Sequence, residues 1–202
     1  MRVKEQPFHY LEKFRFCPLC GSNRFAVSGP RSRRCADCGY ELFRNSSAAV
    51  AAFIVQGLTD EELSHYQGIS PERWEQAQLL VCRRACQPAK GTLDLPGGFV
   101  DPDETIEQAL ARELTEEIGT PPATARYLFS QPNRYSWSGI LVPTTDCFFL
   151  CTLPPDASPQ AADDAENLTS ISLRQLQPSR FGLHSIAQGI ERFLHEIVLT
   201  TK

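Results

Sequence analysis

The most constraining feature of the chain is the stretch TIEQALARELTEEIGT, residues 105–120, which carries both a start and a stop signal for a helix. Thr105 is followed three residues later by Gln108, the pattern of a capping box in which each side chain bonds the other residue's backbone N–H. Gly119 is the residue type that most easily adopts the left-handed conformation that ends a helix. The sequence therefore predicts a helix between Thr105 and Gly119.

Acidic side chains continue the apolar face of this helix. At about 100° per residue, the stripe that begins with Ile106 runs on through Glu113, Glu116 and Glu117. Carboxylates beside a core repel each other and lose hydration unless a counter-charge compensates them. Magnesium or manganese can supply that charge through oxygen ligands, so the stripe predicts a divalent-metal site. The alternative is an acidic helix surface that faces solvent.

Two CxxC pairs stand near the N-terminus, Cys17 with Cys20 and Cys35 with Cys38, and a glycine follows each pair. Four thiolates suit one tetrahedral ion, and a closed four-sulfur site is structural because it leaves no coordination position open. The intervening residues predict two short strands around a Ser-Gly-Pro turn. We interpret this segment as a zinc ribbon. Iron in the same geometry and two disulfides are the alternatives.

The rest of the chain alternates between strand and helix patterns. Apolar runs at 48–55, 78–85 and 144–153 predict strands, and the spacing of apolar residues over 185–199 predicts a second helix. Such a mixture indicates a layered α/β domain. The segment 57–77 is too long for a hairpin turn, so we expect a surface insertion that begins with a short capped helix. Residues 154–167 are expected to form a polar loop.

The net charge of −4 over 202 residues is unevenly distributed. Residues 1–45 carry nine Lys or Arg against four Asp or Glu, and they are expected to form one domain, with 46–202 as the other. An acidic body does not attract an anionic substrate by its own field, so metal cations would have to mediate. The basic ribbon is interpreted as a solvated face, and nucleic acid is not expected as a partner. The absence of a long apolar run or a signal-like leader predicts a cytoplasmic protein without a membrane partner.

One motif makes the chain recognisable. Gly98, a gap of five residues, Glu104, a gap of seven and then RELTEEIG at 112–119 match the Nudix box, with Thr120 in place of the final aliphatic residue. The chain resembles a Nudix hydrolase. The resemblance implies an α/β/α sandwich with a mixed sheet, preceded here by the small β zinc ribbon. It also implies hydrolysis of the diphosphate linkage of a nucleoside diphosphate derivative, such as a dinucleotide, an ADP-ribose-like or a nucleotide-sugar-like compound.

The resemblance further assigns roles to individual residues. It implies that the catalytic magnesium or manganese ions bind to three helix carboxylates and one loop carbonyl, namely those of Glu113, Glu116, Glu117 and Gly97. Arg112 would pair with Glu104 and hold the loop against the helix. The general base would be Glu116 or Glu117. The rival for that role is an acid of the later loop, Asp163, Asp164 or Glu166.

The substrate is indicated less sharply. A ribbon before the box and FSQP at 129–132 resemble the NADH pyrophosphatase subfamily, but NRYSWSG follows where that subfamily has an aromatic–proline run. NADH or NAD pyrophosphatase activity is therefore one alternative, and a non-catalytic nucleotide sensor or nucleic-acid-binding protein is another.

Several basic, polar and aromatic side chains outside the box are expected to contact a small-molecule nucleotide substrate. They are Arg83, Arg84, Gln131, Asn133, Tyr135, Trp137 and Glu166. The two aromatic side chains could stack a base, although their alternation with polar residues also fits a half-buried strand. An arginine could reach a phosphate or form a surface salt bridge. Proteins of this architecture are often dimers, so a homodimer is expected.

Overall fold

The computed structural model describes residues 10–162 and 165–199, which fold into two compact units. Within those residues, the first unit comprises 10–46 together with 134–143, and the second comprises 47–133 and 144–199. The sequence predicted a domain of residues 1–45 and did not foresee that 134–143 would group with it. The first unit therefore contains residues 134–143 in addition to the predicted domain, and these residues lie about ninety positions further along the chain.

The first unit contains a small antiparallel sheet around the cysteines. Its strands, in the order β1-β2-β3, are Phe25–Gly29, Ser32–Cys35 and Glu41–Phe43, and a 3₁₀ turn, Tyr10–Lys13, precedes them. The strands β1 and β2 are joined by the expected Ser-Gly-Pro turn. The predicted pair of short strands is confirmed.

The second unit is built on a six-stranded mixed sheet. The strands are β4 (Ser47–Gln56), β5 (Gln78–Arg84), β6 (Leu93–Asp94), β7 (Thr124–Trp137), β8 (Ile140–Thr152) and β9 (Ala165–Ser172). Residues 134–137 of β7 and 140–143 of β8 are grouped with the first unit. Their order is β6-β5-β4-β8-β7, with β9 also paired to β5. The strands β4 and β8 run parallel, whereas β5 is antiparallel to β4, β6 and β9.

Two long helices cover the two faces of this sheet. Helix α3 (Ile106–Ile118) packs Leu110 and Leu114 against one face of β4. Helix α4 (His184–Phe193), which continues into a π-helical turn at Leu194–Val198, packs on the other face. There the rings of Phe53 and Phe193 stack with centroids 4.2 Å apart. Because both faces of β4 are covered, its sequence is a continuous apolar run. The expected α/β/α sandwich with a mixed sheet is confirmed.

The segment 57–77 holds two short helices, α1 (Asp60–Ser64) and α2 (Pro71–Trp74). The capped helix α1 is confirmed, with Thr59 and Glu62 forming its capping box. The expectation of a mere surface insertion was wrong, because Trp74 is fully buried in the main core and meets Phe193 edge-on at 5.9 Å. A single large apolar side chain on a short helix is enough to anchor such a segment in the core.

Element boundaries differ from the sequence expectations at two places. The strand predicted from residue 144 begins at Ile140. The predicted polar loop ends earlier than expected, because β9 starts at Ala165 and its pairing with Arg84 draws three residues of the loop into the sheet. Pairing with a neighbouring strand satisfies the hydrogen bonds of backbone N–H and C=O groups whatever the side chains are. A polar stretch of sequence can therefore form a strand. Within the described ranges, none of the helices has the length and apolarity that a bilayer span requires.

Candidate active site

Helix α3 forms as the sequence predicted and carries three carboxylates toward its C-terminal end. Thr105 and Gln108 exchange their capping hydrogen bonds, and Gly119 ends the helix with φ +78°. The side chain of Glu113 is 15% exposed and Glu117 as a residue is 8% exposed, so both lie at the core edge. Glu116 differs, since 48% of its side chain is exposed. The stripe argument therefore holds for two of the three acids, and the third faces solvent.

Arg112 connects these acids to the loop before the helix. Its Nε and Nη2 donate to the two carboxylate oxygens of Glu104 at 3.0 and 2.9 Å. Its Nη1 donates to Glu113 at 2.8 Å and to Glu116 at 3.0 Å, and Nη2 also reaches the carbonyl oxygen of Phe99 at 2.9 Å. A planar guanidinium can make such a fork and still reach further acceptors. The loop and the helix are thus held together by one side chain.

Two glycines allow this loop to approach the carboxylates closely. A Cβ on Gly98 would lie 2.5 Å from the carboxyl atoms of Glu113. A Cβ on Gly97, whose φ is +143°, would meet the carbonyl oxygen of Val50. The backbone N–H of Gly97 donates to Glu117 Oε2 at 2.9 Å. The position of the loop thus depends on glycine at both residues.

The loop also pairs with β4 in a way that leaves out one carbonyl. Val50 N–H donates to Gly98 O at 2.8 Å, and Ala52 N–H donates to Pro96 O at 2.9 Å. This pairing skips the carbonyl oxygen of Gly97, the one expected from the resemblance to bind metal. Helix α3 therefore supplies the carboxylate oxygens of Glu113 and Glu117, and the loop that pairs with β4 supplies the carbonyl oxygen of Gly97.

The surroundings shift the pKa values of the Glu113 and Glu104 carboxyl groups in opposite directions. Burial raises the pKa of Glu113 above its ordinary value, against the opposing effect of the hydrogen bond from Arg112. The same guanidinium lowers the pKa of Glu104. A half-buried carboxylate with a raised pKa is the kind of group for which a metal cation provides a favourable counter-charge.

Among the described residues, the four cysteines form the one group of three or more metal-binding side chains whose ligand atoms all lie within 4.8 Å of each other. The helix carboxylates do not reach this spacing. The guanidinium of Arg112 lies between Glu113 and Glu116 and supplies positive charge there. The oxygen donors of these carboxylates suit a hard divalent cation.

The loop before β9, which leads to the rival candidates for the general base, approaches the C-terminal end of α3. Gln160 N–H donates to Ile118 O at 3.1 Å, and Ala162 N–H donates to Glu117 O at 2.9 Å. Asp163 and Asp164 lie outside the described residues. Glu166 is exposed near the start of β9.

The two candidate arginines of β5 are both engaged with other parts of the protein. Arg84 forms an ion pair with the buried carboxylate of Asp94 and donates from Nε to Pro88 O at 2.8 Å. Arg83 donates to Gly91 O. Burial raises the pKa of Asp94, while the charge of Arg84 opposes that effect. Sequence reasoning missed Asp94, although an acid between two leucines in LDL was a visible signal of a buried, paired carboxylate.

The four candidates on β7 divide between the two units. Gln131 and Asn133 belong to the second, and Asn133 Nδ2 donates to the buried carboxylate of Asp146 at 3.1 Å. Tyr135 and Trp137 belong to the first, where their rings stack with centroids 6.4 Å apart. The aromatic pair is therefore grouped with the cysteine-containing unit.

The four cysteine sulfurs have the spacing of a tetrahedral site. Cys17 Sγ lies 3.7 Å from Cys38 Sγ, and Cys20 Sγ lies 3.6 Å from Cys35 Sγ. Metal–sulfur bonds of about 2.3 Å in a tetrahedron separate the sulfurs by about 3.8 Å. Backbone N–H groups of Cys38 and Asp37 lower the pKa of Cys35 to about 6, which favours its thiolate. All eight cysteines are free thiols, so the disulfide alternative was wrong.

A family model described as the NUDIX domain matches residues 72–194. The NAD-capped RNA hydrolase NudC of Deinococcus radiodurans is 29% identical over 164 residues, which are 81% of this chain and 52% of that protein. The ADP-ribose pyrophosphatase of Methanocaldococcus jannaschii is 30% identical over 118 residues, which are 57% of this chain and 67% of that protein.

Among solved structures, a NUDIX hydrolase from Nitrosomonas europaea superposes with a TM-score of 0.61 at 20% identity and covers 90% of this chain and 91% of that one. At this identity the match supports the fold alone. The chain spans about half the length of the first NudC relative.

Proposed function

Since the chain belongs to the Nudix family, we propose that it is a metal-dependent hydrolase that cleaves the diphosphate linkage of a nucleoside diphosphate derivative. The observation that carries the proposal is the seating of Gly97 and Gly98 directly against the carboxylates of Glu117 and Glu113. Such a contact brings loop and helix oxygen atoms to one place. A diphosphate held there would have donors for its counter-cations on two sides.

The proposed metal ligands are Glu113, Glu116, Glu117 and the carbonyl oxygen of Gly97. Magnesium or manganese bound there would neutralise the charge that develops on the phosphoryl oxygens. Arg112 and Glu104 support this site, because their ion pair holds the loop in contact with the helix. A residue that only orients the ligands of a metal is still important for its binding.

For the proton transfer, we propose Glu116 or Glu117 as the general base that accepts the proton of the attacking water. Glu116 is solvent-exposed and can pass the proton on, whereas Glu117 is held by the N–H of Gly97. Geometry favours Glu116 for exchange with water and Glu117 for a fixed position. Asp163, Asp164 and Glu166 remain the rival candidates.

The proposed substrates are ADP-ribose and NAD-type dinucleotides. The relatives from M. jannaschii and D. radiodurans support this choice, since one is an ADP-ribose pyrophosphatase and the other is an NAD-capped RNA hydrolase. Among the predicted substrate contacts, Gln131 and Asn133 keep that role as a proposal. Arg84 has a less direct role, because it is bound to Asp94.

We also propose that the four cysteines of the first unit hold one structural zinc ion. The sulfur spacing supports a four-thiolate site, which suits zinc and iron alike. Zinc is the choice made from the sequence. Elemental analysis of the purified protein would distinguish the two metals, and one zinc per chain is the expected result.

The proposed activity can be tested with a product assay on ADP-ribose, NAD and NADH in magnesium or manganese. AMP is expected as a product, and reaction in heavy-oxygen water would identify the phosphorus attacked. Glu117→Gln should reduce turnover at least about 10–100-fold, the range seen for residues that merely support metal ligands. The matched control is Glu107→Gln, an exposed acid on the same helix, which should retain activity.

Two results would count against the proposal. One is a folded protein that hydrolyses none of these anhydrides with either metal. The other is a Glu117→Gln variant as active as the Glu107→Gln control.

A further inference from the structure

The first unit carries its four cysteines on two CxxC hooks, residues 17–20 and 35–38, which are closed in the same way. In each hook, the N–H of the first cysteine donates to the carbonyl oxygen five residues ahead. The N–H of the glycine after the hook donates back to the carbonyl oxygen of that cysteine, and the N–O distances lie between 2.8 and 3.1 Å. Each hook therefore maintains its own turn. A four-thiolate site also requires that the two turns keep a fixed distance from each other.

The hooks differ in their attachment to the small sheet. The second hook connects β2 to β3, and because these strands pair with each other, the sheet holds this hook on both sides. The first hook is followed by β1, which pairs with β2, but the 3₁₀ turn Tyr10–Lys13 precedes it. Ala36 N–H extends the pairing of β1 with β2 by donating to Arg24 O at 2.9 Å. The sheet therefore fastens the first hook on one side only.

Two side chains that follow the first hook reach into the second. Asp37, in the middle of the second hook, accepts a hydrogen bond at each of its carboxylate oxygens. Ser22 Oγ donates to one oxygen, and Arg24 Nη1 donates to the other at 2.6 Å. Arg24 N–H also donates to Ser22 Oγ at 3.0 Å, which leaves the O–H of Ser22 to point at the carboxylate. We call Ser22, Arg24 and Asp37 the hook clasp.

The hook clasp lies at the surface of the unit. The side chain of Arg24 is 65% exposed and that of Asp37 is 41% exposed. Solvent screens an ion pair at such exposure, so the pair contributes little to the free energy of unfolding. Its position has a larger consequence, because it joins the two segments that carry the sulfurs. An ion held by four thiolates leaves when these segments separate, and the hook clasp opposes that separation.

We propose that the hook clasp positions the two cysteine hooks and slows the loss of the ion that they hold. This inference rests on the zinc site proposed above. Ser22, Arg24 and Asp37 are positioning residues, since they hold the segments that carry the ligands and are not ligands themselves. The carboxylate of Asp37 is assigned to alignment because each of its oxygens already accepts a hydrogen bond from the other hook's side.

The test measures how fast the zinc-loaded, full-length protein transfers its ion to an excess of a chromogenic chelator. Asp37→Ala and Arg24→Ala should each raise the release rate by roughly 10–100-fold, the factor by which loss of a group that supports metal ligands weakens metal binding. The matched controls are Glu12→Ala and Arg31→Ala, which remove an exposed acid and an exposed arginine of the same unit. Both controls should release zinc at the rate of the unchanged protein.

A double substitution tests whether the two charged residues act through their contact. Arg24→Ala should add no further acceleration to Asp37→Ala, because residues that act through one interaction are not additive. The exchange of Arg24→Asp with Asp37→Arg should restore slow release in part. The cobalt-loaded variants should keep the absorption bands of a tetrahedral four-thiolate site, which separates a loss of positioning from the loss of a ligand.

Unchanged release rates in Asp37→Ala and Arg24→Ala would overturn the inference and leave the zinc site standing. Equal acceleration in the two controls, or full additivity in the double variant, would also overturn it. A purified protein that binds no zinc when the ion is supplied would overturn both the inference and the zinc site. Absence of hydrolysis would count against the proposed enzyme alone, because zinc release is measured without substrate.

Discussion

Replacing Gly98 by alanine tests the contact between the glycine loop and helix α3. The added Cβ would lie 2.5 Å from three carboxyl atoms of Glu113. Ordinary contacts between such atoms are about 3.5 Å, so the carboxyl must retreat by about 1 Å. Its hydrogen bond to Arg112, now 2.8 Å, would be lost or rearranged.

A displacement of this size should affect activity much more than stability. A misplacement of about 1 Å can cost about a hundredfold in rate, so we expect kcat/KM for ADP-ribose to fall by about that factor. The carboxyl is the far end of a flexible side chain and can swing aside with little strain. We therefore expect the midpoint of thermal unfolding to stay within about 4 °C, the effect of about 1 kcal/mol in a chain of this size.

Gly97→Ala provides the contrast. There the Cβ would clash with the backbone oxygen of Val50, and the residue has a φ of +143°. Backbone strain alone costs about 1–3 kcal/mol, so this variant should be clearly less stable as well as less active. Thermal unfolding by calorimetry and AMP release by chromatography measure the two effects. Full activity in a folded Gly98→Ala protein would refute the reasoning, because it would show that catalysis does not need Glu113 where it lies.

Three further predictions concern charges elsewhere in the chain. Arg112→Lys keeps the charge but loses the fork to Glu104, so calorimetry should show a loss of about 1.5–3 kcal/mol of stability, and an unchanged unfolding midpoint would contradict this. The fork from Arg73 lowers the pKa of Glu62 from 4.5 to about 2, so this pair stabilises the fold above pH 4.5 and the contribution is lost as the pH falls toward 2. Acid titration should therefore destabilise Glu62→Gln less than the unchanged protein, and parallel curves would count against this. Cys35→Ser should abolish the bound zinc measured by mass spectrometry, whereas Cys86→Ser should retain it, and zinc retained in Cys35→Ser would exclude the four-thiolate site.

Sequence signals from residues close together in the chain predicted a large part of the fold and the cysteine site. The capping box at Thr105, the glycine that ends α3 and the paired CxxC hooks each depend on residues close together in sequence. Their physical causes are local, since caps satisfy nearby backbone groups and the hooks need only tight turns. The periodicity of apolar residues likewise predicted the strands and helices of the layered fold, because burial on a face repeats with the element.

The sequence by itself thus determined the elements, the cysteine site and the family to which the acidic helix belongs. Only the tertiary structure decided that Glu116 faces solvent, that Arg84 pairs with Asp94, and that Tyr135 and Trp137 group with the cysteine-containing unit. Each of these depends on a partner distant along the chain, and no periodic pattern encodes which partner that will be. Side-chain burial and ion pairing follow from the packing of layers, and packing exists only once the whole chain has folded.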